Sequence, residues 1–168
     1  MQTYQIQGPW RGRLAIVPRP RGGEWLDDDV RALQEQGFDL VVSLLTSDEA
    51  TDLGLAQEEN ASKDHGLLFS NFPIPDLGVP DSWEKALTLL GDLNKALAAG
   101  KNLAIHCRQG IGRSGLLAVA LLVVSGVEAE TALRLVSAAR GLTVPETLEQ
   151  REWVVKLARQ LAAPTIRG

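Results

Sequence analysis

The sequence contains few of the residues that build disulfide frameworks and metal sites. Among its 168 residues there are one cysteine, Cys107, and two histidines. A single cysteine cannot form an internal disulfide, so the sequence does not resemble a secreted disulfide scaffold. It also offers no cluster of Cys and His ligands for a metal ion. We therefore expect neither a metal nor another cofactor.

Long apolar runs and an excess of positive charge are also lacking. The longest apolar run, residues 116–124, is too short to span a bilayer, and the N-terminal "MQTYQIQGPWRGR" has no run typical of a signal peptide. The sequence contains 17 Lys and Arg residues and 21 Asp and Glu residues, which gives a net charge of −4. Nucleic-acid binding instead favours a basic surface. We expect a cytoplasmic, monomeric protein that binds neither nucleic acid nor membranes.

The remaining composition, 45% hydrophobic and 23% charged residues, is typical of a globular protein with room for one core. Apolar runs and their flanking turn residues predict strands at 13–17, 39–45, 66–74 and 102–106. Helical spacing predicts helices from Leu26, from Ser82 to Gly100, and at 113–125, 128–139 and 146–162. This alternation indicates one α/β domain over 1–168, with a mostly parallel sheet of four to five strands flanked by helices. Residues 1–10 are interpreted as an N-terminal extension.

The stretch "HCRQGIGRSG" joins a predicted strand to a predicted helix. Cys107 follows the strand, at the edge of the sheet where active sites of α/β folds lie. The loop would present free backbone amides at a helix N-terminus, which favours an anion, and Gly110 and Gly112 permit the close approach. The helix dipole and Arg113 would favour a thiolate over a thiol. The loop lacks the lysine of a nucleotide P-loop.

The same stretch matches the Cys-x5-Arg-Ser signature of the protein tyrosine phosphatase superfamily. Three further segments resemble characteristic parts of its small dual-specificity branch: "VVSLLTSDE", "FPIPDLGVPD" and "ARGLTVPETLEQREWV". Together they are most similar to the phosphatases associated with cyclin-dependent kinases. The resemblance covers most of the chain and implies a dual-specificity phosphatase fold.

The resemblance implies a role for each of five residues. Cys107 would be the nucleophile that forms a phosphocysteine intermediate, and Arg113 would bind the equatorial phosphate oxygens. Ser114 would stabilise the thiolate when it leaves. Asp76 would be the general acid on a separate loop, and Gln150 would help to position the hydrolytic water.

Other loop residues would bind the phosphate or support the nucleophile. The resemblance assigns the phosphate-binding backbone and side chains to Arg108, Gln109, Gly110, Ile111, Gly112 and Arg113. His106 would support the loop from behind. Glu146 departs from the family pattern, because it stands where a glutamine is expected. A carboxylate there would repel phosphate unless it pointed away or were protonated.

Several functions remain open at this level. The first is a phosphatase for phosphotyrosine, with phosphoserine or phosphothreonine as further substrates in proteins. Others are a phosphatase for a non-protein ester such as a phosphoinositide, an inactive phosphate-binding module, and a redox or sulfur-transfer enzyme. The lack of a second cysteine counts against a dithiol cycle. Arg19 and Arg21 are either solvated loop residues or a basic rim that attracts phosphosubstrates.

Overall fold

A computed structural model describes residues 2–162. Strands alternate with helices along most of the chain, as the apolar pattern predicts. The strands are β1 (Tyr4–Ile6), β2 (Leu14–Ile16), β3 (Leu40–Ser43), β4 (Leu68–Asn71) and β5 (Leu103–His106). The α-helices are α1 (Leu26–Glu35), α2 (Ser47–Asp52), α3 (Glu58–Asp64), α4 (Trp83–Ala98), α5 (Gly112–Val124), α6 (Ala129–Arg140) and α7 (Leu148–Ala162).

The five strands form one sheet in the order β1-β2-β5-β3-β4. Only β1 is antiparallel to its neighbour, and β2, β5, β3 and β4 are mutually parallel. Strand β5 occupies the middle, and all four of its residues are buried. The predicted α/β architecture with a mostly parallel sheet is therefore confirmed. The loop after β5 opens at the centre of the carboxyl edge of the parallel strands.

Strand β1 is a strand that the sequence analysis did not predict. It lies within residues 1–10, which were interpreted as an extension, yet Tyr4 pairs with Ile16 and Ile6 pairs with Leu14. Ile6 is buried in the main core. Three residues with a single buried apolar side chain give too short a pattern for a strand to be recognised.

Helices cover both faces of the sheet. One core joins the sheet to α4, α5, α6 and α7, and a second, smaller core joins it to α1 and the segment around α2 and α3. Helix α5 is buried from Gly112 to Val123, which explains its nearly uninterrupted apolar sequence. Because α5 is enclosed by neighbours, the loop that precedes it stands on a rigid base. Between residues 2 and 162, no helix is both long and apolar enough to cross a bilayer.

Helix boundaries follow local capping chemistry. Ser82 accepts a hydrogen bond from the amide of Lys85 and begins α4 as its N-cap. The start of α7 differs from the prediction, which placed it at residue 146. Pro145 instead follows a cis peptide bond, and α7 begins at Leu148. Glu146, which lies between Pro145 and Leu148, lines the site described next.

Candidate active site

The loop between β5 and α5 folds around the single cysteine. Cys107 is 3% exposed, and its Sγ accepts a hydrogen bond of 3.2 Å from the amide of Gly110. Gly110 has φ = +70°, which glycine adopts without steric cost. At Gly112, a Cβ atom would lie 2.9 Å from Gln150 Oε1, so the buried, hydrogen-bonded amide of Gln150 would have to shift. Both positions thus favour glycine for steric reasons, as the sequence analysis expected.

Arg140, at the end of α6, holds the outer side of this loop. Its Nε donates to the carbonyl of Gly110 at 2.8 Å, and its Nη2 donates to the carbonyl of Gln109 at 3.2 Å. The guanidinium also lies 4.1 Å above the ring of Tyr4 in β1. Arg140 therefore ties the loop to the unexpected strand. Arg140 belongs to the segment "ARGLTVPETLEQREWV", but the sequence did not predict this role for it.

The two arginines near the start of the chain have different surroundings. Arg19 is exposed and donates to the carbonyl of Arg108 at 2.8 Å, so it contacts the outside of the loop that carries Cys107. Arg21 instead binds Asp29 with its Nη2 at 2.8 Å and stacks over Trp25. Hydrogen bonding to Arg21 holds the pKa of Asp29 below its usual range. Only Arg19 is placed to contribute to a basic rim.

Arg113 is buried beneath the loop and points its guanidinium at several acceptors. It is 2% exposed. Its two terminal nitrogens bind Glu49 bidentately, with N–O distances of 2.6 and 2.9 Å. Nη1 also donates to the carbonyl of Ile74 at 2.9 Å, and Nη2 donates to Asp76 Oδ1 at 3.2 Å. The guanidinium is therefore fixed in position and orientation by protein groups.

Glu49 is a site residue that the sequence analysis missed. It belongs to a capping box with Thr46, in which each residue's side chain accepts from the other's backbone amide. Hydrogen bonding to Arg113 is the main cause that lowers the pKa of Glu49 to about 2. The capping pattern at residues 46–49 is readable in the sequence, but the contact with Arg113 spans 64 residues and is not.

We expect Glu49→Gln to lower the free energy of unfolding by about 2 kcal/mol at pH 7, because Arg113 loses its buried counter-charge. The carboxylate is favoured in the folded state, since its pKa there is about 2 against a reference value of 4.5. Its contribution is therefore complete above pH 4.5 and is lost as the pH falls towards 2. Urea unfolding at pH 7, 4 and 3 measures whether wild type and variant converge on acidification. Asp48→Asn, at an exposed position of the same helix, is the control. An equal difference in the free energy of unfolding between wild type and variant at all three pH values would contradict the ionic explanation.

Asp76 stands on a tight turn that reaches over Arg113. The amide of Gly78 donates to the carbonyl of Pro75 at 2.8 Å, which closes the turn. Leu77 within it has φ = +63°, a conformation that is costly for a residue with a branched side chain. The Asp76 side chain is 59% exposed, so its carboxylate is open to solvent while it contacts Arg113.

Gln150 packs beside Gly112 of the loop, and its amide is bound by neighbouring protein groups. Its side chain is fully buried. Oε1 accepts from the amides of Glu146 and Thr147 at 3.1 Å, and Nε2 donates to the carbonyl of Gly78 at 3.0 Å. The amide group thus connects the segment before α7 to the turn that carries Asp76. Both its oxygen and its nitrogen are hydrogen-bonded to backbone groups of the protein.

The two other supporting residues are buried behind the loop. Ser114 Oγ makes no hydrogen bond within the described part of the chain, to Cys107 Sγ or to any other group. His106 is fully buried, and its Nε2 lies 2.6 Å from Oε1 of Glu58, which is 3% exposed. Glu58 is a second residue that the sequence analysis missed, for the contact spans 48 residues. A buried histidine–carboxylate pair therefore lies directly before Cys107 in the chain.

These elements enclose a small cavity. Its volume, about 100 Å³, is well below that of sites for drug-sized ligands. It therefore fits a small group such as a phosphate. The lining residues are Asp76, Leu77, Cys107, Arg108, Gln109, Ile111, Gly112, Arg113 and Glu146. Across residues 2–162, no group of three or more His, Cys, Asp and Glu side chains is placed to hold a metal ion.

Comparison with known proteins gives a matching family model and several similar proteins. A family model described as "Polymorphic toxin system, DSP-PTPase phosphatase" matches residues 17–127. Cyclin-dependent kinase inhibitor 3 of Mus musculus is 27% identical over 142 residues, which cover 82% of this chain and 65% of that protein. The corresponding Rattus norvegicus protein is 26% identical, with 82% and 66% covered. The chain thus spans about two thirds of the length of these curated relatives.

Solved structures show the same fold. The crystal structure of Tk-PTP in its active form has a TM-score of 0.77 and 30% identity, and the match covers 94% of this chain and 97% of that one. Kinase associated phosphatase, with its catalytic-site cysteine substituted by serine, has a TM-score of 0.86, 19% identity and coverage of 98% and 97%. PTPMT1 in complex with PI(5)P has a TM-score of 0.73 at 16% identity, covering 93% and 96%.

Proposed function

Since this chain belongs to the DSP-PTPase family of phosphatases, we propose that it hydrolyses phosphate monoesters of proteins through a phosphocysteine intermediate. Phosphotyrosine is the main proposed substrate, with phosphoserine and phosphothreonine as further ones. The observation that carries the proposal is the convergence of Cys107, Arg113 and Asp76 on one cavity that fits a phosphate group.

In the proposed first step, the Cys107 thiolate attacks phosphorus, an S–P bond forms and the bond to the ester oxygen breaks. Asp76 donates its proton to the departing oxygen. The hydrogen bond from the Gly110 amide supports negative charge on the sulfur before attack. Arg113, fixed by Glu49, would bind the equatorial oxygens on which charge lies in the transition state.

In the second step, water attacks the phosphocysteine and the S–P bond breaks, which returns the thiolate and releases phosphate. Asp76, now ionised, accepts a proton from this water. Gln150 would act indirectly, as a positioning residue, because its amide donates to the carbonyl of Gly78, which closes the turn of Asp76. We propose that Ser114 stabilises the thiolate by rotating its unpaired hydroxyl towards the sulfur.

A substrate panel tests this function. Purified protein is assayed with an aryl phosphate, a phosphotyrosyl peptide, a phosphoseryl peptide and phosphoinositide vesicles, with phosphate release as the readout. We expect the first two substrates to give the highest kcat/KM. Leu77, 52% exposed at the mouth of the cavity, offers apolar contact to an aromatic ring. Failure to hydrolyse any of the four would favour a phosphate-binding module instead.

Asp76→Asn is expected to lower kcat about a hundredfold for an aryl phosphate with a poorly acidic phenol as leaving group. The loss should be much smaller with an acidic leaving group such as 4-nitrophenol, because such a group departs without a proton. Steady-state rates with both substrates, for wild type and variant, provide the measurement.

Asp81→Asn is the matched control, since Asp81 is an exposed acid beyond the same loop and does not line the cavity. Equal losses in Asp76→Asn for both leaving groups would remove Asp76 from the role of acid. A loss of rate in Asp81→Asn alone would assign the role of acid to Asp81.

A further inference from the structure

We propose that Glu146 makes this site selective for phosphate monoesters with a cationic or neutral group beside the phosphate. The preferred protein substrates would be phosphopeptides with Lys or Arg next to the phosphorylated residue. This inference rests on the proposed phosphatase function and narrows its substrate class. Multiply phosphorylated ligands would be disfavoured.

The charges that line the cavity are balanced. Arg108 and Arg113 are the two cationic side chains of the lining, and Asp76 and Glu146 are the two anionic ones. Arg113 is moreover bound bidentately by Glu49 just outside the cavity. Among the side chains that line the cavity, a bound phosphate therefore meets no surplus of positive charge, and a second anionic group beside Glu146 would be repelled.

The position of Glu146 is set by its main chain. Its amide donates to Gln150 Oε1 at 3.1 Å, and Gln150 is fully buried and also bound to Gly78. Glu146 Cβ lies 3.2 Å from where a Cβ on Gly112 would stand. The Glu146 backbone is thus held against the first turn of α5, and its carboxylate can adjust only through side-chain torsions.

Gly112 is the first residue of α5, a helix of 13 residues. The N-terminus of such a helix favours negative charge, so it stabilises Glu146 and a substrate phosphate in the same region. These two anions repel each other, and this repulsion is tolerable for one phosphate. A cation on the substrate next to the phosphate would offset it by pairing with Glu146.

Two aryl phosphates that differ mainly in the charge of the para substituent test the charge effect directly: 4-(2-aminoethyl)phenyl phosphate and 4-(carboxymethyl)phenyl phosphate. We expect wild type to favour the amine in kcat/KM by about tenfold at low salt, and less as salt is added. Glu146→Gln, similar in size but uncharged, should reduce the preference to about twofold or less. Glu149→Gln is the control, because Glu149 is exposed on α7 and does not line the cavity.

A preference that is unchanged in Glu146→Gln, or lost equally in Glu149→Gln, would overturn the inference. Peptides extend the test: phosphotyrosyl peptides with Lys or Glu beside the phosphotyrosine should differ in the same direction. Phosphoinositide vesicles should be poorer substrates than the Lys peptide, and the opposite order would also overturn it. If wild type cleaves the aryl phosphates but neither peptide, the proposed protein substrates are wrong, whereas the aryl pair still decides the role of Glu146.

Discussion

Cys107→Ser is expected to lower kcat by more than about a thousandfold, because removal of a covalent nucleophile costs at least that much. Binding of oxyanions should change little. The groups proposed to hold the anion are the loop amides and Arg113, and the thiol only accepts a hydrogen bond from Gly110. Single-turnover assays measure the first effect, and calorimetric titration with phosphate or tungstate measures the second.

Ser125→Ala offers a control at a distance, since Ser125 ends α5 and binds Trp10 and Asn94 far from the loop. It should retain both activity and anion binding. Residual activity of Cys107→Ser above about a thousandth of wild type would contradict the covalent mechanism. Loss of both activity and anion binding would place the anion-binding role on the thiol itself.

Arg113→Lys should lower kcat/KM for an aryl phosphate by about a thousandfold, although it keeps the positive charge. An ammonium group cannot bind Glu49 bidentately and at the same time reach a phosphate, whereas the planar guanidinium has five N–H groups for both. Because the Arg113 side chain is 2% exposed, the substitution should also lower the melting temperature.

Activity must therefore be measured at a temperature where circular dichroism shows the variant to be folded. Arg134→Lys, on the exposed side of α6, controls for the chemistry of the exchange, and its rate should match wild type. A folded Arg113→Lys variant with more than about a tenth of wild-type kcat/KM would show that bidentate geometry is not required.

The sequence allowed most of the fold to be predicted because its long elements carry clear patterns. Strands β3 and β5 are buried apolar runs, and α5 is apolar along most of its length. The loop after β5 could be identified by the spacing between Cys107 and Arg113. Strand β1 was missed because its three residues contain too few apolar positions to show a period.

The groups that surround the site were harder to predict, because each depends on a partner far away along the chain. Glu49 meets Arg113 across 64 residues, and Glu58 meets His106 across 48. Such pairings follow from the packing of helices onto the sheet and leave no local signature. Gln150 is the opposite case. A motif implied its role in the family, but its amide is hydrogen-bonded to backbone groups.

The hydrogen bonds from Arg140 to the outside of the loop affect how far the site must rearrange when an anion enters. The peptide group between Gln109 and Gly110 has its carbonyl oxygen on Arg140 and its N–H on Cys107 Sγ. A cation at one end of a peptide dipole polarises its N–H at the other end. The dipole is therefore aligned and preorganised before substrate arrives, so little reorganisation energy is spent on turning it during the reaction.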